Sequence, residues 1–206
     1  MKYKLTVIIP VYNQETLVIR AIESIPKRED IEIIVIDDDS KDNTWINLID
    51  YRENQRDLFN LILLKNDKNE GVAYTVNKGL DYASGEYVVL LGSDDYFITE
   101  MIHDIMEIYL NGTDLVYFNL ETNDGTIFRV DQESSRNNYV GSVKFMRRKF
   151  IGETRNPTDK RAREDYFFYQ ELLKKKPTEV YTGLVAKHYN FPREGSLTDL
   201  ALKGII

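Results

Sequence analysis

The first 120 residues alternate short apolar runs, rich in β-branched side chains, with stretches whose apolar residues recur at helical spacing. The runs predict strands over residues 5–10, 31–37, 58–65, 86–91 and 114–119. Between them apolar positions repeat every three or four residues, as in Ile102, Ile105 and Met106. Apolar strands joined by crossover helices are typical of a parallel sheet covered on both faces. The pattern therefore predicts an α/β fold.

The regular alternation of predicted strands and helices ends after residue 120. Asn123-Asp-Gly125 predicts a hairpin turn between strands at residues 117–120 and 126–130. Helices are predicted near residues 142–150 and 161–175, and a strand near residues 180–186. The last twenty residues contain Pro192 and Gly195, which break regular elements. Because there is no linker, we expect this part to extend the first domain.

Composition limits the classes of function. The net charge of −7 argues against a nucleic-acid partner, since phosphate binding needs an excess of Lys and Arg. The absence of cysteine excludes disulfides, cysteine nucleophiles and thiolate metal sites. The apolar run at residues 5–11 is too short to span a membrane and lacks a signal-peptide cleavage site. We therefore expect a cytoplasmic protein.

Charge is distributed unevenly. Residues 142–188 contain twelve Lys and Arg against six Asp and Glu, a net charge of +6. Such a run is usually a solvated helix face. The alternative is a basic wall for an anionic substrate, or a peripheral contact with a membrane surface.

Polar residues cluster where four predicted strands end, and ligands bind at the carboxyl ends of the strands in open α/β sheets. The clusters are Tyr12-Asn13 with Glu15, Asp37-Asp38-Asp39-Ser40, Asn69-Glu-Gly71 leading to Asn77, and Gly92-Ser93-Asp94-Asp95. Each cluster alone also suits a helix cap or a turn. Five aspartates at two strand ends repel one another unless a cation or a ligand offsets their charge. We therefore expect a ligand site along this edge.

Four sequence blocks also carry a resemblance to a known family. They are Val7-Ile-Ile-Pro-Val-Tyr-Asn13, Ile34-Val-Ile-Asp-Asp-Asp-Ser-Lys-Asp-Asn-Thr44, Asn69-Glu-Gly71 with Asn77, and Ser84-Gly-Glu-Tyr-Val-Val-Leu-Leu-Gly-Ser-Asp-Asp95. In order and spacing they resemble family 2 glycosyltransferases of the GT-A fold, over residues 5 to about 100. Further on, Glu164-Asp165 resembles the family's catalytic pair, and residues 189–196 are similar to its loop over the diphosphate.

The resemblance implies a single GT-A domain over residues 1–206, with a Rossmann-like, mostly parallel sheet flanked by helices and a small C-terminal acceptor-side extension. Residues 1–120 would form the nucleotide-sugar-binding half and residues 121–206 the acceptor-side half. The implied activity is inverting and metal-dependent, with Mn²⁺ or Mg²⁺ as cofactor. It would transfer a hexosyl or N-acetylhexosaminyl group from a UDP-type or dTDP-type nucleotide sugar to a hydroxyl of a glycan or glycolipid acceptor. The oligomeric state stays open.

The resemblance also implies roles for individual residues. Asp38 matches the carboxylate that accepts a hydrogen bond from the base, which suits the uracil N3–H because an ionised carboxylate only accepts. Asp165 matches the general base, and Glu164 would orient a neighbour or contact the acceptor. The other expected contacts are Pro10, Tyr12, Asn13, Glu15, Gly71, Asn77 and Asp94 for the nucleotide, Arg193 and Ser196 for the diphosphate, and Asp94 and Asp95 for the metal ion.

Several positions depart from the family's pattern. Gly92 stands where the first Asp of an Asp-x-Asp-Asp motif is common, which affects the ribose or metal contact made from that position. Asp39 replaces a usual Gly, and Val76 stands where many members place an Arg. Asn190 occupies a position where Arg is common, so Arg193 is expected to serve instead.

Three other functions compete with a transferase. A non-catalytic descendant that binds nucleotide sugars or glycans stays open because of Gly92. A phospho-signalling receiver is disfavoured, since strand five ends in Asn119-Leu-Glu without the lysine that such switches use. A sugar-nucleotide pyrophosphorylase would need a glycine-rich, basic loop after strand one, and Tyr12-Asn-Gln-Glu15 is neither. The transferase is therefore the prediction, with the non-catalytic binder as its alternative.

Overall fold

The computed structural model describes residues 2–55, 60–137, 142–159, 163–194 and 203, and only the backbone of residues 136 and 137. The strands are β1 Leu5–Val11, β2 Ile31–Asp37, β3 Leu61–Lys65, β4 Tyr87–Leu90, β5 Tyr96–Phe97, β6 Leu115–Thr122, β7 Ile127–Phe128, β8 Lys144–Arg147 and β9 Glu179–Tyr189. The helices are α1 Val18–Glu23, α2 Thr44–Asn54, α3 Val72–Tyr82, α4 Thr99–Ile108, α5 Gln132–Asn137, α6 Arg148–Ile151 and α7 Glu164–Lys174. None of these helices has an apolar stretch long enough to cross a membrane.

The strands form one mixed sheet in the order β3-β2-β1-β4-β8-β6-β9-β5, with β7 paired to β6. β1 runs parallel to β2 and β4, and β2 runs parallel to β3. β6 and β9 are also parallel, whereas β8 is antiparallel to both of its neighbours. This confirms the predicted α/β class with a mostly parallel sheet.

Helices cover both faces of the sheet, which explains the continuous apolar strands. On one face Val7 and Ile9 of β1 pack in the cluster that includes α1 and α4. On the other face Ile8 packs with Val76 and Leu80 of α3, in the cluster that also includes α7. Since β1 is buried on both sides, an alternating polar pattern would place polar groups in the core.

The predicted helix at residues 142–150 is wrong. Residues 144–147 form β8, and α6 is a short helix after it. β8 lies between β4 and β6, with Phe145 opposite both Val89 and Val116. A position between two strands supplies hydrogen-bond partners on both sides, and this tertiary context overrides local helix preference.

Other predicted elements are found with shifted ends. The hairpin at residues 123–125 is confirmed, because β7 pairs antiparallel with β6 across it. β9 extends further at both ends than the predicted strand at residues 180–186. Residues 58–59 and 161, which the sequence places at the starts of β3 and α7, lie outside the described residues.

Candidate active site

The carboxyl ends of β1, β2, β3 and β4 lie along one edge of the sheet. Val11 at the end of β1 pairs with Asp37 of β2, and Asp37 pairs with Lys65 of β3. β4 runs parallel to β1 on its other side. The polar clusters that follow these strands are therefore neighbours, as the sequence predicts.

The loop after β1 is fastened to the loop after β2. Asn13, with a left-handed φ of 51°, accepts a hydrogen bond at Oδ1 from the backbone N–H of Lys41 (2.8 Å). Glu15 accepts at Oε2 from the backbone N–H of Asn43 (2.9 Å). Both side chains thus hold the two loops together. Tyr12 is 43% exposed, so its ring is open to a ligand, while Pro10 is half-buried within β1.

Asp38 is 4% exposed, and its carboxylate organises the loop before α3. Oδ1 accepts hydrogen bonds from Asn66 Nδ2 (2.7 Å) and from the backbone N–H of Glu70 (2.9 Å). Oδ2 accepts from the backbone N–H of Gly71 (2.8 Å). Gly71 has a φ of 87° and a ψ of 163°, a conformation that favours glycine. The predicted pair Asp38 and Gly71 is therefore in direct contact.

Asn66 is a site residue that the sequence analysis missed. It is buried at the end of β3 and also donates to Thr75 Oγ1 (3.1 Å). Its Oδ1 accepts from Lys78 Nζ (2.8 Å). Asn66 directly follows the apolar run of β3, and that position was the available signal.

Asn77 lies on α3 and braces the segment after α6. Its Nδ2 donates to the backbone oxygen of Asn156 (2.9 Å), and its Oδ1 accepts from the backbone N–H of Asn156 (2.8 Å). Asn156 Nδ2 donates to the same Oδ1 (3.2 Å). These contacts occupy the amide of Asn77, and its contact with a nucleotide stays a prediction.

Asp94, in the loop after β4, is held by two arginines. Arg193 donates from a terminal guanidinium nitrogen to Asp94 Oδ2 (2.6 Å). Arg20 donates to the backbone oxygen of Asp94 (2.6 Å). The predicted diphosphate residue Arg193 and the predicted metal ligand Asp94 are thus brought together, and the other predicted diphosphate residue, Ser196, lies outside the described residues.

Asp95 is 2% exposed and forms a buried ion pair. Its Oδ2 lies 2.7 Å from Nζ of Lys187, whose side chain is fully buried. Its Oδ1 accepts from the backbone N–H of Asn190 (2.9 Å). Both oxygens of Asp95 are therefore engaged by β9 and the residue after it. Sequence analysis missed Lys187, because a lysine within a charged segment looks like a solvated side chain.

Gly92 leaves room for this ion pair. A Cβ atom at position 92 would lie 2.7 Å from Asp95 Oδ2 and 3.1 Å from Asp94 Oδ1. A larger residue would need these carboxylates to shift. Glycine in place of the family's first Asp therefore leaves space for the Asp95 carboxylate at its observed position.

The carboxylate oxygens available as metal ligands suit an ion at Asp94 better than at Asp95. Mg²⁺ commonly binds through one or two carboxylates together with phosphate oxygens and water. Asp94 is partly exposed and has one oxygen paired with Arg193, whereas Asp95 would have to give up its bond to Lys187. Among the described residues, no group of three or more His, Cys, Asp and Glu side chains could hold a metal ion. An ion bound at Asp94 would take further ligands from phosphate oxygens and water.

Aromatic and basic side chains line the same loop. Tyr96 stacks on His188 with ring centroids 4.5 Å apart, and Arg20 lies 4.8 Å from the Tyr96 ring centroid. Two buried nitrogens here, Nδ1 of His188 and Nε of Arg193, have no hydrogen-bond partner within the described part of the chain. A buried polar atom without a partner is costly, so both are suited to bind a ligand.

Asp165 lies in the first turn of α7, where its Oδ1 accepts from the backbone N–H of Tyr166 (2.8 Å). Burial raises the pKa of the neighbouring Glu164, and the charge of Asp165 adds to this effect. Asp165 also acts electrostatically on Lys144. Lys144 begins β8 one residue beyond the pair of Phe145 and Val89, near the carboxyl end of β4. Asp165 is thus within electrostatic range of a lysine near the carboxyl end of β4, and its role in the site stays a prediction.

The fold and this edge define an α/β protein of the GT-A type, with an acidic loop after β4 and loops after β1 and β2 that form one joined wall. The family model described as Glycosyl transferase family 2 matches residues 6–180. The chain belongs to this family.

Two relatives illustrate its similarity to curated transferases. The chain is 30% identical over 174 residues to the GalNAc(5)-diNAcBac-PP-undecaprenol beta-1,3-glucosyltransferase of Campylobacter jejuni, covering 82% of this chain and 56% of the relative. It is 32% identical over 122 residues to the UDP-Glc:alpha-D-GlcNAc-diphosphoundecaprenol beta-1,3-glucosyltransferase WfgD of Escherichia coli, covering 58% and 46%. The chain thus spans about half the length of these relatives. Both are named as transferases, so they do not support the non-catalytic alternative.

Solved structures share the fold. S. aureus TarS 1-349 in complex with UDP-GlcNAc superposes with a TM-score of 0.74 at 23% identity, over 94% of this chain and 60% of that one. The mannosyltransferase PcManGT from Pyrobaculum calidifontis, in complex with GDP-Man and Mn²⁺, gives a TM-score of 0.71 at 18% identity, over 95% and 59%. At these identities the likeness concerns the fold alone.

Proposed function

We propose that this chain is an inverting glycosyltransferase that moves a sugar from a UDP-type nucleotide sugar to a hydroxyl of a glycan or glycolipid acceptor. The observation that carries the proposal is the joined edge of the sheet. There, an exposed Tyr12 ring and the Asp38 loop lie beside an Asp94 carboxylate paired with Arg193. Relatives named as acting with UDP-Glc, or on undecaprenol-linked glycans, support this donor and acceptor class.

In this proposal the two joined loops bind the nucleoside. Tyr12 supplies an aromatic face for the base, and Asp38 accepts from the uracil N3–H. The carboxylate of Asp38 already accepts three hydrogen bonds, and an ionised carboxylate offers about four acceptor sites. One acceptor site therefore remains for the base.

The diphosphate would lie against the loop after β4. Asp94 is the residue that would hold Mn²⁺ or Mg²⁺, and Arg193 and His188 would donate to phosphate oxygens with the nitrogens that have no partner in the described residues. When bound, the ion supplies Lewis-acid stabilisation of charge on the departing nucleoside diphosphate. Asp95 supports the loop through Lys187 instead of binding the ion.

Asp165 would act as the general base from the acceptor side. Its carboxylate takes the proton of the acceptor hydroxyl as the oxygen bonds to the anomeric carbon and the bond to the diphosphate oxygen breaks. The helix macrodipole at the start of α7 favours an ionised carboxylate there. In this scheme residues 1–120 form most of the donor site and residues 121–206 present the acceptor, within one domain, with His188 and Arg193 also contacting the diphosphate.

A thermal-shift series with UDP-glucose, UDP-GlcNAc, dTDP-glucose and GDP-mannose, each with and without Mn²⁺, tests the proposal. A bound donor at a hundredfold excess over its Kd stabilises the fold by about 2.7 kcal/mol. We expect stabilisation by a UDP-sugar, larger with Mn²⁺, and donor hydrolysis or transfer under the same conditions. An Asp94→Asn variant should lose the Mn²⁺-dependent part, with Asp104→Asn on α4 as the control. No stabilisation by any donor would contradict the proposal.

A further inference from the structure

A closed ring of hydrogen bonds includes the Asp38 carboxylate and two buried side chains that the mechanism above does not use. Asn66 Nδ2 donates both to Asp38 Oδ1 (2.7 Å) and to Thr75 Oγ1 (3.1 Å). Thr75 Oγ1 donates to the backbone oxygen of Gly71 (2.9 Å), and the N–H of Gly71 donates to Asp38 Oδ2 (2.8 Å). Asn66 and Thr75 are as deeply buried as Asp38. The ring is therefore shielded from water, which strengthens its hydrogen bonds.

The orientation of the Asn66 amide follows from the charges on either side of it. Its Oδ1 accepts from the ammonium of Lys78 (2.8 Å), and its Nδ2 faces the Asp38 carboxylate. The opposite orientation would place the amide oxygen against a carboxylate and the amide N–H groups against an ammonium. Lys78 also donates to the backbone oxygen of Lys65 (2.8 Å), which holds it in place. Asn66 therefore presents a hydrogen-bond donor to Asp38.

The bonds to Asp38 leave one acceptor position open, and it lies on Oδ2. Oδ1 accepts two hydrogen bonds, from Asn66 and from the backbone N–H of Glu70 (2.9 Å). Oδ2 accepts one, from the backbone N–H of Gly71. Each carboxylate oxygen offers about two acceptor positions. A ligand that reaches this carboxylate must therefore bring one donor group to Oδ2.

We propose that Asn66 is a positioning residue for nucleobase recognition, which occupies Oδ1 of Asp38 and so directs the chain to uracil-type bases and against cytosine. The inference rests on the proposed function, since it needs Asp38 to meet the base. Uracil offers one imide N–H at N3, which matches the one open position on Oδ2. Cytosine has a lone pair at N3 instead, and it repels the carboxylate. Asn66 acts through Asp38 and makes no contact with the base.

The experiment measures the Kd of UDP and of CDP by isothermal titration calorimetry, in the wild-type protein and in Asn66→Leu. The wild-type protein should bind UDP about tenfold or more tightly than CDP, because CDP leaves a buried acceptor unpaired. In Asn66→Leu the carboxylate is free to turn and to accept from the N4 amino group of cytosine. We expect the ratio of the two Kd values to fall by about tenfold. The Kd of pyrophosphate should not change.

Two control variants separate a positioning role from a role in loop structure. Thr75→Val removes both hydrogen bonds of the Thr75 hydroxyl from the same ring but leaves the three donors to Asp38 in place. It should keep the wild-type ratio of Kd values. Asn119→Leu makes the matched change at a buried asparagine on β6 and should also keep that ratio. If Asn66→Leu does not fold, as judged by circular dichroism, Asn66→Ala takes its place.

The possible failures point to different parts of the argument. An unchanged ratio of Kd values in Asn66→Leu, with a selective wild-type protein, would overturn the role of Asn66. An equal fall of the ratio in Thr75→Val would also overturn it, because the loop as a whole would then set the selectivity. Equal binding of UDP and CDP by the wild-type protein would instead contradict the proposed contact of Asp38 with the base.

Discussion

The carboxylate of Asp38 has two roles in the proposed site. It holds the loop before α3 through Glu70 and Gly71, and it is also the predicted acceptor for the base. Its burial at 4% exposure makes each of these bonds stronger than it would be in water. The loop geometry and the affinity for the base are therefore coupled through this residue.

We expect Asp38→Ala to weaken UDP binding by about 1–3 kcal/mol, the cost of losing a charge-assisted hydrogen bond. Isothermal titration calorimetry measures the affinity. Asp39→Ala is the matched control, since Asp39 pairs with Lys41 at the surface. An equal loss of affinity for UDP and for pyrophosphate would assign Asp38 to the loop alone, and an unchanged UDP affinity would remove it from the site.

Asp165 is the residue on which the chemistry of the proposal depends. We expect Asp165→Asn to lower the rate of transfer about 10²–10⁴-fold, the usual contribution of a positioned general base. Its affinity for UDP should stay the same, because the proposal places this residue on the acceptor side. Steady-state transfer and calorimetry separate the two effects.

The control for this substitution is Glu171→Gln, at an exposed carboxylate on the same helix that pairs with Lys174. Its rate should match the wild-type protein. A loss of UDP affinity in Asp165→Asn that parallels the loss of rate would show that Asp165 acts on the donor instead.

At the scale of elements, β9 fixes the loop after β4. Its Lys187 pairs with Asp95, and its His188 lies opposite Tyr96 of β5 in the sheet. The C-terminal half thereby holds the acidic loop of the N-terminal half in place. This contact joins segments about ninety residues apart in the sequence.

Lys187→Met should destabilise the fold by about 3–5 kcal/mol, because it leaves the buried Asp95 carboxylate without its cation. Adding Asp95→Asn should recover most of that loss, since a neutral side chain needs no counter-ion. Urea unfolding of the wild-type protein, Lys187→Met and the double variant measures the free energy of unfolding. Lys174→Met removes the exposed ion pair with Glu171 and should lower the free energy of unfolding by less than about 1 kcal/mol. Additive losses in the double variant would contradict the pairing.

At the scale of the whole molecule, stability depends on pH through Lys144. Its folded pKa of about 8 lies below the ordinary value of 10.5. The unfolded chain therefore holds more protons between these values, and stability rises with pH. Burial raises the pKa of Tyr117, so its folded form keeps a proton above pH 10 and opposes the rise there.

We expect the free energy of unfolding to rise by up to about 1.4 kcal/mol per pH unit from this residue between pH 8 and 10. Urea unfolding at pH 8, 9 and 10 measures the slope. Lys144→Met should flatten it, because the variant has no ammonium to discharge. The same slope in both proteins would show that other groups control the pH dependence.

The sequence by itself determined the class of the fold and the edge of the sheet at which the predicted site residues meet. The runs that became β1, β2 and β4 are mostly apolar, and a sheet covered on both faces buries such strands. Parallel strands end at one edge, so Asp38 and Asp94 could be placed together from their positions alone. These features depend on short stretches of sequence, so the spacing of the apolar residues is enough to predict them.

Only the tertiary structure decided which charges are buried and with whom they pair. Residues 142–150 have helical spacing, yet β8 forms because β4 and β6 offer hydrogen bonds on both sides. Lys144 and Lys187 belong to a basic segment that looks solvated, but the fold buries both of them. Their partners lie far away in the sequence, and burial by distant segments leaves no periodic signal in the local pattern.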